Sequence, residues 1–208
     1  MKAKYIPALK FKFLTKCFDI FCSAVGLGKE FRNIVISSLG IIKKQYKILD
    51  AGCGTGSLAI TLKQKYKNIE LYAIDIDKDV LKIAENKNRK NNIKIFFKQA
   101  PVQSLPYKSS FFDIVYSSLV IHHLKTKDKI LAMKEIHRIL KKNGVFILAD
   151  FGRPKNFITV PFSWFSLLEE GYDNYKGLIP KFLSQAGFKD IKPIAKFRFN
   201  IEILKARK

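Results

Sequence analysis

The chain has 208 residues, 48% of them hydrophobic and 27% charged, which is enough for one domain with a real core and excludes a disordered or fibrous protein. Its 39 Lys+Arg against 17 Asp+Glu leave a formal net charge of +22, which raises nucleic acid, anionic membrane and acidic ligands as partners. The excess is spread along the chain (10 basic against 2 acidic residues in 1–47, 18 against 10 in 48–150, 11 against 5 in 151–208), and 33 of the 39 are lysine, whereas bidentate reading of phosphate or guanine favours arginine.

At the N-terminus Phe11, Leu14, Phe18, Phe21, Cys22 and Val25 share one helical stripe beside Lys10, Lys12 and Lys16. This predicts an amphipathic helix suited to peripheral contact with an anionic membrane. The longest uncharged run there, residues 20–28, is too short to span a bilayer. Residues 1–46 therefore read as an N-terminal helical extension, or cap, and 47–208 as one domain. Cys17, Cys22 and Cys53 form no CxxC pair, which argues against a disulfide framework or zinc site and fits a reducing cytoplasm.

From Lys47 strands and helices alternate. Strands are predicted at 47–51, 70–74, 93–97, 113–118 and 145–150, and helices at 57–67, 78–90 and 127–142, the last stopped by Asn143-Gly144. A helix over 178–187 precedes two strands, 191–199 and 201–206, close enough to form a hairpin. The pattern predicts an α/β fold, a mostly parallel sheet with helices on both faces and an antiparallel strand at the end.

The most informative segment is the run Ile48, Leu49, Asp50, Ala51, Gly52, Cys53, Gly54, Thr55, Gly56, Ser57. Glycines between a buried strand and a helix let the backbone approach a nucleotide-like ligand that a Cβ would push away. The dinucleotide fingerprint needs glycine at 57, so this spacing favours another adenosine cofactor. Asp75 ends the second strand nineteen residues after Gly56, where a carboxylate accepts ribose hydroxyls; Asp77 suits a cap of the following helix.

The segments ILDAGCGTGSLAI, AIDIDKDVLKIAE, LPYKSSFFDIVYSSLVIHHL, EIHRILKKNGVFILAD and LSQAGFKDI come in the order found in class I S-adenosylmethionine-dependent methyltransferases. The chain resembles their type 11 branch, close to the ubiquinone/menaquinone-biosynthesis C-methyltransferases, over roughly residues 45–208. The resemblance implies a Rossmann-like seven-stranded sheet with an antiparallel last strand, and S-adenosylmethionine as cofactor. It implies that Gly52, Cys53, Gly54, Thr55 and Gly56 hold the methionine part and that Asp50 orders the loop. Asp75 would then hold the ribose and Ile76 pack on the adenine. Pro101 stands where the family often has an acidic residue and offers neither side-chain acceptor nor N–H, which leaves the Val102 N–H to meet the adenine ring.

Methyl transfer from a sulfonium asks mainly for orientation and a dry site. Ser117, Ser118, Leu119, His122 and His123 follow the fourth strand to the carboxyl edge of the sheet, where ligands of such folds bind. His122 or His123 is the candidate base for a phenol, quinol or hydroxyl acceptor, with a structural hydrogen bond in the turn as the alternative. Two adjacent histidines without further ligands do not argue for a metal. Phe157, Val160, Pro161, Phe162, Trp164, Phe165, Leu167 and Leu168 are an apolar insertion that reads as an acceptor wall or a core helix.

The expected activity is methyl transfer by in-line displacement to a small, hydrophobic acceptor, a quinone precursor or lipid-like molecule, in a cytoplasmic protein with peripheral membrane contact. The alternatives are an RNA or DNA methyltransferase and a cofactor-binding protein without transferase activity. The sequence Ser117, Ser118, Leu119, Val120 lacks the Asn/Asp-Pro-Pro-aromatic motif of base-amino methyltransferases, which argues against nucleic acid.

Overall fold

The computed structural model describes residues 26–153, 170–198 and 200–208. The N-terminal apolar stripe up to Val25 and the apolar insertion from Phe157 to Leu168 lie outside the described residues. The elements are α1 (Lys29–Ser38), β1 (Lys47–Ala51), α2 (Ser57–Lys65), β2 (Glu70–Asp75), α3 (Lys78–Lys90), β3 (Phe96–Gln99) and β4 (Phe112–Ser118). They continue with α4 (Thr126–Ile139), β5 (Leu140–Phe151), α5 (Tyr172–Tyr175), α6 (Ile179–Gln185), β6 (Lys189–Phe197) and β7 (Ile201–Arg207), and a single 3-10 turn, Ile121–His123, links β4 to α4.

The seven strands form one sheet in the order β3-β2-β1-β4-β5-β7-β6. Strands β1 to β5 pair in parallel, and β7 runs antiparallel between β5 and β6. This is the mostly parallel sheet with an antiparallel last strand that the alternation of elements predicts. The chain leaves β1 toward β2 on one side and returns to β4 on the other. That reversal opens a crevice at the carboxyl ends of β1 and β4, the ligand position of open α/β sheets.

Both faces of the sheet are covered, so after Lys47 β1 reads as a buried apolar run broken only by Asp50. Leu49, Val115, Phe146 and Leu148 pack under α4 and α6 with Met133, Ile136 and Leu183. Ile48, Leu71, Ile114 and Ile147 pack on the other face with Val35 of α1, Leu62 of α2 and Leu81 of α3. Side chains alternate along a strand. Asp50 therefore follows Ile48 toward α1–α3, while Asp150 follows Leu148 toward α4 and α6.

Two junctions differ most from the sequence reading, the start of β3 and the passage from α4 to β5. The third ladder begins at Phe96, opposite Tyr72, and not at Ile93; Ile93 and Ile95 pack against the core ahead of it. Helix α4 ends at Ile139, short of Asn143-Gly144, because Leu140 is already extended and pairs with Phe112. The Lys141 ammonium on Asp113 (2.7 Å) ties down this early start, so tertiary pairing overrides helical continuation. The hairpin joining β6 to β7 turns through Arg198 and Asn200, the latter at φ 60°. Lys129 of α4, fully buried, bonds Glu170 O (2.7 Å) and Asp173 Oδ2 (3.2 Å), and Thr126 Oγ1 donates to the same carboxylate oxygen (2.8 Å). That buried cluster clamps the chain entering α5 onto α4.

Candidate active site

Past Ala51 the chain turns across the end of β2. The N–H groups of Gly52 and Cys53 both donate to Ile74 O, at 2.9 and 2.8 Å, and Gly56 N–H donates to Cys53 O (2.9 Å) to close the turn into α2. Gly54 N–H donates to Asp75 Oδ2 and Asp77 N–H to Asp75 Oδ1, both at 2.9 Å. Asp75 therefore bridges the glycine loop and the β2–α3 turn. A carboxylate offers about four acceptor sites, so its oxygens keep capacity for a ligand hydroxyl. Burial pushes its carboxyl above the ordinary range, against the bonds from Asp77 and Gly54. Asp77 caps α3 as predicted, accepting from Asp79 N and Val80 N.

The three loop glycines serve different ends. A Cβ on Gly52 would stand 2.4 Å from Val120 Cγ2, and one on Gly56 would stand 2.9 Å from Ala84 Cβ. A Cβ on Gly54 would meet nothing within 4 Å. Open space of the kind a ligand needs therefore lies beside Gly54, whereas packing of protein against protein demands the other two glycines. Thr55 is buried at this turn, and the Ser57 hydroxyl accepts from the Lys87 ammonium (3.0 Å). The Cys53 thiol is buried, which with the charges of Asp50 and Asp75 pushes its pKa up.

Asp50 lies beneath the loop, 1% exposed. Its Oδ2 accepts from the Tyr116 hydroxyl at 2.9 Å, and its Oδ1 is buried without a hydrogen-bond partner. Burial lifts its pKa to about 8; the Tyr116 bond opposes that rise and the charge of Asp75 adds to it. A buried orphan acceptor costs free energy unless a donor reaches it.

Ile76 is half-buried in the turn after β2, and its carbonyl takes the Gln99 amide (2.9 Å). Pro101 begins a tight turn in which its carbonyl accepts Ser104 N–H (3.1 Å), and the Val102 side chain points into the core. Ser117 is fully buried with its hydroxyl on Ala51 O (2.8 Å), so it straps β4 to β1. Ser118, half-buried, ends β4, and Leu119 follows at φ 57° with its N–H on Ala149 O.

The 3-10 turn carries both histidines. His122 is 4% exposed, and its Nδ1 lies 2.6 Å from Asp150 Oδ1 at the end of β5. His122 N–H donates to Asp150 Oδ2 (3.2 Å) and Phe151 N–H to Oδ1 (2.8 Å). His123 is half-buried, its ring centroid 4.0 Å from that of His122. Burial pushes the Asp150 carboxyl up, but the charge and bond of His122, the Phe151 bond and the charge of His123 together hold it below the ordinary value.

Sequence reasoning passed over Tyr116, Gln99, Val120 and Asp150. For Asp150 a signal existed: an acid closing an apolar strand, the same mark that singled out Asp75. Tyr116 and Val120 look like ordinary core residues in sequence, and only their neighbours reveal what they do.

A family profile described as a methyltransferase domain matches residues 42–192. The chain belongs to this methyltransferase family. It is 31% identical over 142 residues to a demethylmenaquinone methyltransferase of Lactobacillus johnsonii, covering 67% of this chain and 54% of that one. It is 28% identical over 153 residues to a ubiquinone/menaquinone biosynthesis C-methyltransferase of Edwardsiella ictaluri, covering 72% and 56%. The chain thus spans just over half the length of these two relatives. A Haemonchus contortus phosphoethanolamine N-methyltransferase, solved with phosphomonomethylethanolamine and S-adenosylhomocysteine, shares the fold at TM-score 0.72 and 17% identity, over 87% of this chain and 53% of that one.

Family and geometry agree on S-adenosylmethionine as cofactor. The residues present suit it: a diol acceptor at Asp75, an open backbone position at Gly54 and a buried orphan carboxylate oxygen at Asp50. No helix among the described residues is long and apolar enough to cross a membrane.

Proposed function

We propose that this methyltransferase domain transfers a methyl group from S-adenosylmethionine to a small hydrophobic acceptor, a quinone precursor or lipid-like molecule. The observation that carries this reading is the pair of carboxylates flanking the glycine loop, Asp75 bridging two turns and Asp50 with an unpartnered buried oxygen. The cofactor supplies an electrophilic methyl group on a positively charged sulfur. Asp75 holds the ribose, the Gly54 backbone lies against the methionine part, and Ile76 and Val102 border the adenine. Asp50 Oδ1 receives the ammonium group. Pro101 removes one adenine contact, while Ser117 and Ser118 shape the edge between β1 and β4. Of the two histidines, His122 is the base that takes a proton from the acceptor. The two quinone-biosynthesis relatives support the acceptor class. The phenylalanines and lysines of the N-terminal sequence support peripheral contact with an anionic membrane, with the protein otherwise cytoplasmic.

The test is calorimetric binding of S-adenosylmethionine, followed by formation of S-adenosylhomocysteine with a panel of quinols, phenols and lipid headgroups. No binding would sink the reading, and binding without turnover of any acceptor would favour a cofactor-binding protein.

Asp50 makes a second result measurable. Its folded pKa, about 8, lies above the ordinary 3.8. The folded state therefore binds a proton that the unfolded chain releases, and the Asp50 contribution to stability falls as pH rises from 3.8 to about 8. Pairing with an ammonium group at pH 7 expels that proton. The apparent binding enthalpy should vary with the ionisation enthalpy of the buffer, with a slope near one proton, and Asp50→Asn should flatten it. Equal slopes for the two proteins would remove the ammonium from Asp50.

A further inference from the structure

We infer that Tyr116 is a positioning residue for the amino group of the cofactor: its hydroxyl occupies Asp50 Oδ2 and so leaves Oδ1 to receive the ammonium. This rests on the transferase reading above and deepens it at Asp50.

Sheet register builds the pair. Asp50 stands between Ala73 of β2 and Tyr116 of β4, and Ile147 of β5 lies beyond Tyr116. Residues in register across a parallel ladder share a face, so this row runs along the α1–α3 side of the sheet. Ala73 and Ile147 are fully buried and apolar. The Tyr116 phenol, 1% exposed, is therefore the polar side chain of the row beside Asp50, and it donates to Oδ2 at 2.9 Å. The ionisable groups that face Asp50 are Tyr116 from β4, Asp75 from the end of β2 and the Cys53 thiol from the loop. Val35 of α1, Leu62 of α2 and Leu81 of α3 pack over the same face.

A tyrosine and a carboxylate buried together can simply satisfy each other. That account would leave nothing over, yet Asp50 Oδ1 stays buried without a partner. The phenol is a directional donor on a stiff ring, so it decides which oxygen is spent. The carbonyl oxygen is the better acceptor of a neutral carboxyl, so with Oδ2 accepting, the proton of the ligand-free protein lies on Oδ1. That is the atom from which an arriving ammonium sends the proton to solvent. A hydrogen bond to a carboxylate is stronger than one to the neutral acid. Tyr116 therefore favours the ionised form that pairs with ammonium, against burial and the charge of Asp75, which both favour the neutral one.

Calorimetry with two ligands tests it. S-adenosylhomocysteine carries the amino acid part, whereas 5′-methylthioadenosine has the same nucleoside and thioether without it. Tyr116→Phe should weaken S-adenosylhomocysteine about tenfold at pH 7, the difference between a hydrogen bond to a charged and to a neutral acceptor. The gap should narrow to within about threefold by pH 9, because high pH ionises the carboxyl in both proteins. The ligand's own amine titrates alike in both arms and cancels from the ratio. Affinity for 5′-methylthioadenosine should change by less than about twofold, and in an Asp50→Asn background Tyr116→Phe should add no further loss. Tyr116→Met, which also lacks a donor, should repeat the pattern and guards against misfolding of the first variant. An unchanged affinity for S-adenosylhomocysteine at pH 7 overturns the inference. So does a loss shared by both ligands, or one that is the same at pH 7 and pH 9. Failure of the parent reading is distinct: S-adenosylhomocysteine would not bind the wild-type protein, or Asp50→Asn would bind it as well as wild type does. A loss in Asp50→Asn with none in Tyr116→Phe sinks the inference alone.

Discussion

Asp75→Ala is expected to weaken S-adenosylmethionine binding at least about 100-fold, since it removes two charge-assisted acceptors worth about 1.5–3 kcal/mol each. The carboxylate also accepts from Gly54 N–H and Asp77 N–H, so the substitution strands two backbone donors and loosens the loop as well. That second effect should cost about 1–3 kcal/mol of stability. Asp75→Asn separates the two roles. Its amide retains one accepting oxygen and turns an NH2 group toward one of the two backbone donors, so it should lose affinity and stability together but less than alanine does. Calorimetry gives the affinity and urea denaturation the stability. Wild-type affinity in Asp75→Ala would take the ribose away from this residue.

Gly52→Ala is expected to destabilise the protein by about 2–5 kcal/mol, combining a left-handed backbone penalty with overpacking. Gly52 has φ +87°, and its added Cβ would stand 2.4 and 2.8 Å from the two methyl groups of Val120. Val120→Ala removes those methyls. The double variant should therefore recover the steric part of the loss and leave the backbone part, giving a coupling of about 1–3 kcal/mol in a double-mutant cycle. Additive losses would mean that the chain avoids the clash in some other way. Gly54→Ala is the control. At φ +53° with no atom within 4 Å of the added Cβ, it should cost only about 1–2 kcal/mol while still impairing cofactor binding, because its methyl projects into the open space proposed for the ligand. Affinity and stability should thus separate at Gly54 and fall together at Gly52.

The local features proposed for the cofactor were legible before any fold was known. Gly52, Gly54 and Gly56 stand between a buried strand and a helix, and Asp75 closes the next strand; both patterns are local, carried by a few consecutive residues. Asp77 as a helix cap was readable for the same reason. The acceptor half was less legible. His122 and His123 are adjacent and chemically alike, and no sequence rule separates them. The His122 ring meets Asp150 Oδ1, 28 positions away, through the pairing of β4 with β5. Ser117 reads in sequence as an edge residue open to ligand, yet its hydroxyl is spent on Ala51, 66 residues distant.

The initial +22 divides along the same line. Lysine clusters can be counted in the chain, but whether they make a surface that holds a partner depends on where the folded chain brings them. By itself the sequence determined the order of elements, the glycine loop and the acid at the end of β2, because periodicity, turn chemistry and strand termini are set by neighbours in the chain. Only the tertiary structure decided which loop glycine has open space beside it, which carboxylate oxygen is left buried and unpaired, and which histidine ring nitrogen meets Asp150 Oδ1. Those properties depend on atoms brought together by sheet order, where burial raises the cost of every unsatisfied charge and hydrogen bond.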